Sequence, residues 1–301
     1  MQSVNQEQKV EILSSNPEKS GIISKNGYHW EYITFGDGPE LLFAFHGFDN
    51  DAEDFACFEK ALGKRYTLVA INLFFHGKSY TEKGLLKPGF VQKDLKELFQ
   101  EFLSHFNATR FSLMGFSLGG KIVLQLCIDF AEQLNRVILL APDGIKLSRW
   151  YVFLTHWSIG MRLFKRAVKN PDRFFRFAEM LNRMKLVGDK QYKFAKSNFD
   201  TAEKRQKVYN VWMIFRGIMP DPYLVKIALE ENQVSLHLFF GKHDTIIPAS
   251  LGKKFIRGLD VPYSLDILEM GHNLLKEKVA TEIESRVSDN KKDAGINQHL
   301  Q

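Results

Sequence analysis

The sequence predicts an α/β fold with a mostly parallel central sheet and helices on both faces. Apolar runs typical of strands alternate along the chain with segments of helical periodicity. The strand-like runs cover residues 28–35, 41–45, 66–73, 111–114, 137–140, 234–240 and 263–268, and the main helical segments cover 52–62, 91–106, 251–259 and 273–285. Because parallel strands need crossover connections, such alternation favours a sheet that is covered on both faces.

Composition is that of a globular protein. The chain has 301 residues, of which 45% are hydrophobic and 25% are charged, enough for one large domain or one domain with an insertion. No apolar run has the length of a transmembrane span, and the first residues lack the positive and apolar regions of a secretory signal. We therefore expect a cytoplasmic protein.

One internal segment differs from the rest in charge. From Lys146 to Lys226 there are 18 Lys and Arg against 6 Asp and Glu, a net charge of +12, whereas the whole chain carries +6. The segment is also aromatic and has no strand signal. We predict a basic helical cap insertion at 144–226 in a core formed by 25–143 and 227–287, with flexible tails at 1–24 and 288–301.

A serine lies between a predicted strand and a predicted helix, in Gly115-Phe116-Ser117-Leu118-Gly119. A G-x-S-x-G pattern in this context is typical of a nucleophile elbow, in which a sharp turn exposes the serine hydroxyl. Gly115 and Gly119 leave room where neighbouring backbone approaches such a turn. By itself the pattern also fits an ordinary turn that opens a helix.

Four further motifs lie at or directly after the ends of predicted strands. They are His46-Gly47-Phe48, Asn72-Leu73-Phe74-Phe75-His76-Gly77-Lys78-Ser79, Gly241-Lys242-His243-Asp244-Thr245-Ile246-Ile247-Pro248, and Met270-Gly271-His272-Asn273. Together with the order of elements over residues 28–285, they resemble the α/β-hydrolase fold with an inserted helical cap, in its serine hydrolase branch of esterases and lipases.

The resemblance implies a Ser-His-Asp catalytic triad. Ser117 is expected to be the nucleophile, Asp244 the acid and His272 the base, which is the chain order of this fold. The backbone N–H groups of Phe48 and Leu118 are expected to form the oxyanion hole, which stabilises the negative oxygen of a tetrahedral intermediate.

Other residues near these motifs have supporting or alternative roles. His46 and Gly47 are expected to support the oxyanion loop, His46 by structural hydrogen bonds rather than as a base. Asp143, which follows another predicted strand, is an alternative acid. The loop at 72–79 departs from the family pattern D-x-x-G-x-G-x-S at Asn72 and Phe75.

The resemblance implies hydrolysis of a carboxylic ester with an apolar acyl part through an acyl-enzyme. Alternatives with the same triad are a thioesterase and a carbon–carbon bond hydrolase, and a catalytically silent ligand-binding protein is a third. A serine at position 117 argues against the dehalogenase and epoxide hydrolase branches, which have Asp there. The sequence shows no metal-ligand spacing and no dinucleotide or phosphate loop, so we infer no metal and no cofactor.

The cap has three interpretations. Its run at 150–166 mixes large apolar residues with a basic end, which favours a cover over the active site that lines an apolar acyl pocket. Alternatively, the basic cap makes peripheral contact with an anionic membrane, or its cations select an acidic substrate. No nucleic-acid partner is expected, because no recognition motif accompanies the charge.

Overall fold

A single mixed sheet forms the centre of the protein. The computed structural model describes residues 19–84, 89–171 and 200–288, and elements are numbered in chain order among these residues. The strands are β1 Ser20–Lys25, β2 Tyr28–Phe35, β3 Glu40–Phe45, β4 Tyr66–Ile71, β5 Tyr80–Thr81, β6 Phe111–Phe116, β7 Leu134–Leu140, β8 Ser235–Gly241 and β9 Tyr263–Leu268.

The strand order confirms the predicted fold class. The sheet runs β1-β2-β4-β3-β6-β7-β8-β9, with β5 paired to β2. Every pairing from β4 through β9 is parallel, and only the pairings that involve β2 are antiparallel. Because the carboxyl ends of the parallel strands meet at one edge, the loops that follow β3, β6, β8 and β9 lie close together.

The helices connect these strands. They are α1 Glu59–Leu62, which continues a 3-10 helix at Ala52–Phe58, α2 Gln92–His105, α3 Leu118–Phe130, α4 Arg149–His156, α5 Ser158–Lys169, α6 Ala202–Ile214, α7 Pro222–Glu231, α8 Ser250–Phe255 and α9 Glu277–Ser288. None of the described helices is long and apolar enough to cross a membrane.

The prediction of a flexible N-terminal tail at 1–24 is wrong for residues 20–24, which belong to strand β1. Strand β1 pairs with β2 along its whole length, from Ser20 opposite Ile33 to Lys25 opposite Tyr28. The connecting residues Asn26 and Gly27 have φ angles of 51° and 74°, which a two-residue hairpin turn requires. The remainder of that tail, at 1–18, lies outside the described residues. Of the C-terminal tail predicted for 288–301, Ser288 is the last residue of α9, and 289–301 lie outside the described residues.

The predicted end of the insertion at residue 226 falls inside a helix. Helix α7 spans Pro222–Glu231, and its Val225 and Leu229 are buried in the same apolar core as the sheet. Helix α7 therefore packs as part of the sheet core. The described parts of 144–226 before it form α4, α5 and α6, and the predicted cap residues 172–199 lie outside the described residues.

The cap helices have an apolar cluster of their own. Phe164 and Val168 of α5 pack with Val208 and Met213 of α6. Phe48, in the loop after β3, packs against both this cluster and the central core. This loop is consequently one of the places where cap and core meet.

Candidate active site

Ser117 lies on a strained turn between β6 and α3. Its φ and ψ angles are 49° and −114°, a left-handed conformation that costs a residue with a side chain about 1 kcal/mol or more. The neighbouring glycines allow the turn. A Cβ on Gly119 would lie 1.9 Å from the Phe45 carbonyl oxygen, and one on Gly115 would lie 2.7 Å from the Gly119 oxygen.

His272 lies between Ser117 and Asp244. Its Nε2 is 3.0 Å from Ser117 Oγ, and its Nδ1 is 2.6 Å from Asp244 Oδ2. The Asp244 side chain is fully buried, and its other oxygen accepts hydrogen bonds from the backbone N–H groups of Ile246 and Ile247 at 2.8 and 2.9 Å. The carboxylate is thereby held in one orientation toward the imidazole.

The loops that carry Asp244 and His272 pack directly on each other. They follow the adjacent parallel strands β8 and β9, and the His243 N–H donates to the Met270 carbonyl at 2.9 Å. A Cβ on Gly241 would lie 2.1 Å from the Gly271 oxygen. A glycine at 241 is therefore needed for the two loops to approach closely.

Asp143, the alternative acid, contacts the elbow through its backbone. Its Oδ1 accepts the N–H of Gly144 at 2.8 Å, while its own N–H donates to the Ser117 carbonyl at 2.8 Å. The hydrogen bond of His272 goes to Asp244 instead.

In two peptide groups beside Ser117, hydrogen bonds hold the carbonyl oxygen in place. They thereby fix the direction of the N–H on the opposite side of the same peptide. The Gly47 carbonyl accepts from His46 Nδ1 at 2.7 Å and from the Asn50 N–H at 3.3 Å. Because C=O and N–H point in opposite directions across a trans peptide, the N–H of Phe48 points away from these donors.

The peptide between Ser117 and Leu118 is held in the same way. The Ser117 carbonyl accepts from the N–H groups of Gly120 at 2.9 Å and Asp143 at 2.8 Å. Leu118 opens α3, and the first amides of a helix have no intrahelical acceptor and lie at its positive end. This is the arrangement that an oxyanion donor needs.

His46 is buried below the loop that follows β3, in one defined tautomer. Its Nδ1 donates to the Gly47 carbonyl, and its Nε2 accepts the N–H of Leu73 at 3.0 Å. Burial lowers the pKa of His46 to about 4, so the ring is neutral at pH 7. Both nitrogens are thereby engaged in holding the loop.

The departure from the family pattern at Asn72 has a local cause. Its side-chain NH2 donates to Glu31 Oε2 at 2.8 Å, and its Oδ1 accepts the N–H of Ala52 at 2.8 Å. An Asp here would place a second carboxylate against Glu31, whereas Asn satisfies both neighbours. Phe75 is the other residue that departs from the family pattern. Its φ angle is 68°, in the left-handed region that a glycine adopts without strain.

Sequence reasoning missed two lysines beside this site. Lys121, four residues after Ser117 on α3, is fully buried and donates to Tyr151 Oη at 3.0 Å and to the Phe215 carbonyl at 3.1 Å. Lys207 of α6 forms an ion pair with Asp49 at 3.0 Å. Neither contact has a local sequence signal, because each joins residues far apart in the chain.

Across 19–84, 89–171 and 200–288, no group of three or more His, Cys, Asp or Glu side chains is arranged to hold a metal ion.

Sequence comparison gives distant relatives. A pimeloyl-[acyl-carrier protein] methyl ester esterase of Nitrosomonas europaea is 24% identical over 233 residues, which cover 72% of this chain and 81% of the relative. An uncharacterized protein of Mycobacterium tuberculosis is 26% identical over 120 residues, 40% of this chain. The match spans only 34% of that relative's length.

Structure comparison and family assignment agree on the fold. A thermophilic esterase of Thermogutta terrifontis superposes with a TM-score of 0.64 at 14% identity, covering 89% of this chain and 98% of the esterase. A family model described as the alpha/beta hydrolase fold matches residues 40–203, more than half of the sequence. The chain therefore belongs to the alpha/beta hydrolase fold family.

Proposed function

We propose that this protein is a serine hydrolase that cleaves a carboxylic ester through Ser117, His272 and Asp244. The observation that carries the proposal is the position of His272, whose two ring nitrogens lie within hydrogen-bond distance of Ser117 Oγ and Asp244 Oδ2. A serine hydroxyl is a weak nucleophile at neutral pH and needs such an adjacent base.

The proposed reaction has two halves. His272 Nε2 takes the Ser117 proton as Oγ attacks the ester carbonyl, and Asp244 stabilises the imidazolium that forms. The new oxyanion accepts hydrogen bonds from the N–H groups of Phe48 and Leu118. The intermediate then expels the alcohol, which receives the proton from His272. Water, activated by the same imidazole, next hydrolyses the acyl-enzyme and releases the acid.

An ester with an apolar acyl part suits the surroundings of the oxyanion loop. Phe48 contacts the apolar cluster of Phe164, Val168, Val208 and Met213 on the cap helices. An acyl chain beside Phe48 would meet apolar side chains and be removed from water. The esterase names of the Nitrosomonas europaea relative and the Thermogutta terrifontis structure support an ester substrate by analogy.

The nucleophile is tested with a fluorophosphonate probe, which phosphonylates an activated serine. We expect the unchanged protein to be labelled, and Ser117→Ala and His272→Ala to lose the labelling while keeping the circular dichroism spectrum of the folded chain. A folded, unlabelled protein would contradict the serine hydrolase proposal and favour a ligand-binding role.

The substrate class is tested by direct comparison. Hydrolysis of p-nitrophenyl esters of graded acyl length is measured beside hydrolysis of acyl-CoA thioesters and of a ketone that carbon–carbon hydrolases cleave. We expect the highest kcat/KM on an ester. A labelled enzyme that prefers thioesters or the ketone would keep the triad and overturn the ester assignment.

A further inference from the structure

Helices α4 and α5 carry large apolar side chains in contact with solvent. Trp150 and Trp157 are 67% and 63% exposed, and Ile159 and Leu163 are 61% and 47% exposed. Trp150 of α4 and Trp157, which lies between the two helices, both contact Phe153, whose ring centre is 5.8 Å from that of Trp150 and 6.2 Å from that of Trp157. Such grouped apolar exposure marks an interaction site.

The same two helices and the loop before them are strongly basic. All six of their Lys and Arg residues are exposed, and residues 144–171 contain no Asp or Glu. The basic residues are Lys146, Arg149, Arg162, Lys165, Arg166 and Lys169. We call this set, together with Trp150, Trp157, Ile159 and Leu163, the α4–α5 surface.

The periodicity of helix α5 places its buried residues on one side, and its exposed apolar and basic residues on the other. Gly160, Phe164, Ala167 and Val168 are buried and face the protein. On the outer side Ile159 and Leu163 are one turn apart, and Arg162 and Arg166 each follow one of them by three residues and so lie beside them. Lys165 and Lys169 are three or four residues from these arginines or from each other and extend the basic edge. An exposed face with an apolar edge and a basic edge is the pattern of a helix that lies in a membrane interface.

The two helices form one firmly packed unit. A Cβ on Gly160 would lie 2.0 Å from the Phe153 carbonyl oxygen, so α5 crosses α4 in close contact. On its inner side α4 is tied to the core by Tyr151, whose hydroxyl accepts from buried Lys121 on the helix that begins after Ser117. The exposed residues thus lie on the outside of the cap, in a fixed arrangement.

We propose that the α4–α5 surface docks this protein onto an anionic lipid bilayer. Six exposed cations without an acidic residue complement a negative headgroup layer, and each Lys or Arg near such a surface adds about fivefold in affinity. Indole and aliphatic side chains insert between headgroups. A second copy of this chain would present the same cations in a symmetric contact, which like charges oppose.

The test uses the full chain and vesicles of two compositions. Co-sedimentation is measured with vesicles of phosphatidylcholine alone and with vesicles that also contain phosphatidylserine, at low and high salt. We expect binding to the anionic vesicles, weakened by salt because screening shortens the range of the attraction. Tryptophan emission should shift to shorter wavelength on binding, since Trp150 and Trp157 would leave water while Trp30 is already buried.

Matched variants assign the binding to this surface. The double variant Lys165→Gln, Lys169→Gln should lower the partition coefficient roughly 25-fold. The control is the double variant Lys253→Gln, Lys254→Gln, which removes the same charge from exposed positions elsewhere and should lower the coefficient less. Trp150→Ala with Trp157→Ala should abolish the emission shift. Tyr223→Ala, at a side chain of 69% exposure, is the apolar control.

Two outcomes would overturn the proposal. One is the absence of salt-sensitive binding to the phosphatidylserine vesicles. The other is a concentration-dependent dimer that the Trp150 and Trp157 substitutions dissolve while vesicle binding is unaffected. The proposal goes beyond hydrolysis, and Ser117→Ala should bind vesicles as the unchanged chain does. Loss of labelling and loss of docking are therefore separate results.

Discussion

Lys207 of the cap forms an ion pair with Asp49 of the loop after β3, at 3.0 Å, although 158 residues separate them in sequence. The ammonium also lies 5.8 Å from the centre of the Phe48 ring. Asp49 has a left-handed φ of 64°, and its N–H donates to His76 Nε2 at 3.3 Å. The cap thus contacts the loop that carries the proposed oxyanion donor.

We expect the charge of Lys207 to act on turnover more than on substrate binding. Lys207→Met keeps the apolar stem over Phe48 but removes the ion pair, and kcat should fall about two- to fivefold, as suits a partly exposed pair. Steady-state kinetics should show KM nearly unchanged, because the donor acts on the transition state. Lys204→Met, at a lysine that pairs with Asp200 just before the same helix, is the control, and equal kcat values for both variants would refute the coupling.

Substitution of each candidate acid by asparagine should affect kcat very differently. Asp244→Asn should reduce kcat by about 10⁴-fold, since it removes the charge that orients and stabilises the His272 imidazolium. Asp143→Asn should reduce kcat less than about tenfold, because the contact with Ser117 is made by the backbone of Asp143. Initial rates on the best ester decide between them, and the reverse order would assign the acid to Asp143.

The elbow should not tolerate a methyl group at position 119. In Gly119→Ala the Cβ would lie 1.9 Å from the Phe45 oxygen, which forces β3 and α3 apart. We expect a loss of several kcal/mol in unfolding free energy, measured by urea denaturation. Gly271→Ala is the matched control, because its Cβ would have nothing within 4 Å. Similar unfolding curves for the two variants would show that the turn relaxes easily.

Stability should fall as the pH drops below about 6.5. Burial is the main cause that lowers the pKa of His46 and His237 to about 4 and of His76 to about 3. Between these values and about 6.5 the unfolded chain binds more protons, so acid favours unfolding. The loss should approach about 1.4 kcal/mol per pH unit for each histidine.

Urea denaturation at a series of pH values between about 7 and 5 measures this dependence. His237→Leu removes one of the three groups from the sheet, away from the proposed triad, and should make the dependence on pH shallower by about one proton. An unfolding free energy that does not change across this range, or an unchanged slope in His237→Leu, would contradict the assignment.

Local patterns predicted the sheet and the residues of the candidate site. The motifs around Ser117, Asp244 and His272 each lie directly after a strand, so the order of strands brought them to one edge. The β1–β2 hairpin was missed, although Asn26-Gly27 is a strong hairpin signal, because the polar residues before it suggested a tail. The insertion boundary was missed since composition does not show that Val225 packs against the sheet core.

By itself the sequence determined which residues stand at the ends of parallel strands, since strand periodicity and turn residues are local properties. Only the tertiary structure decided that His272 meets Asp244 rather than Asp143, that Lys207 meets Asp49, and that Trp150 and Trp157 remain in solvent. These outcomes depend on distances of a few ångströms between segments far apart in the chain, and local periodicity cannot encode them.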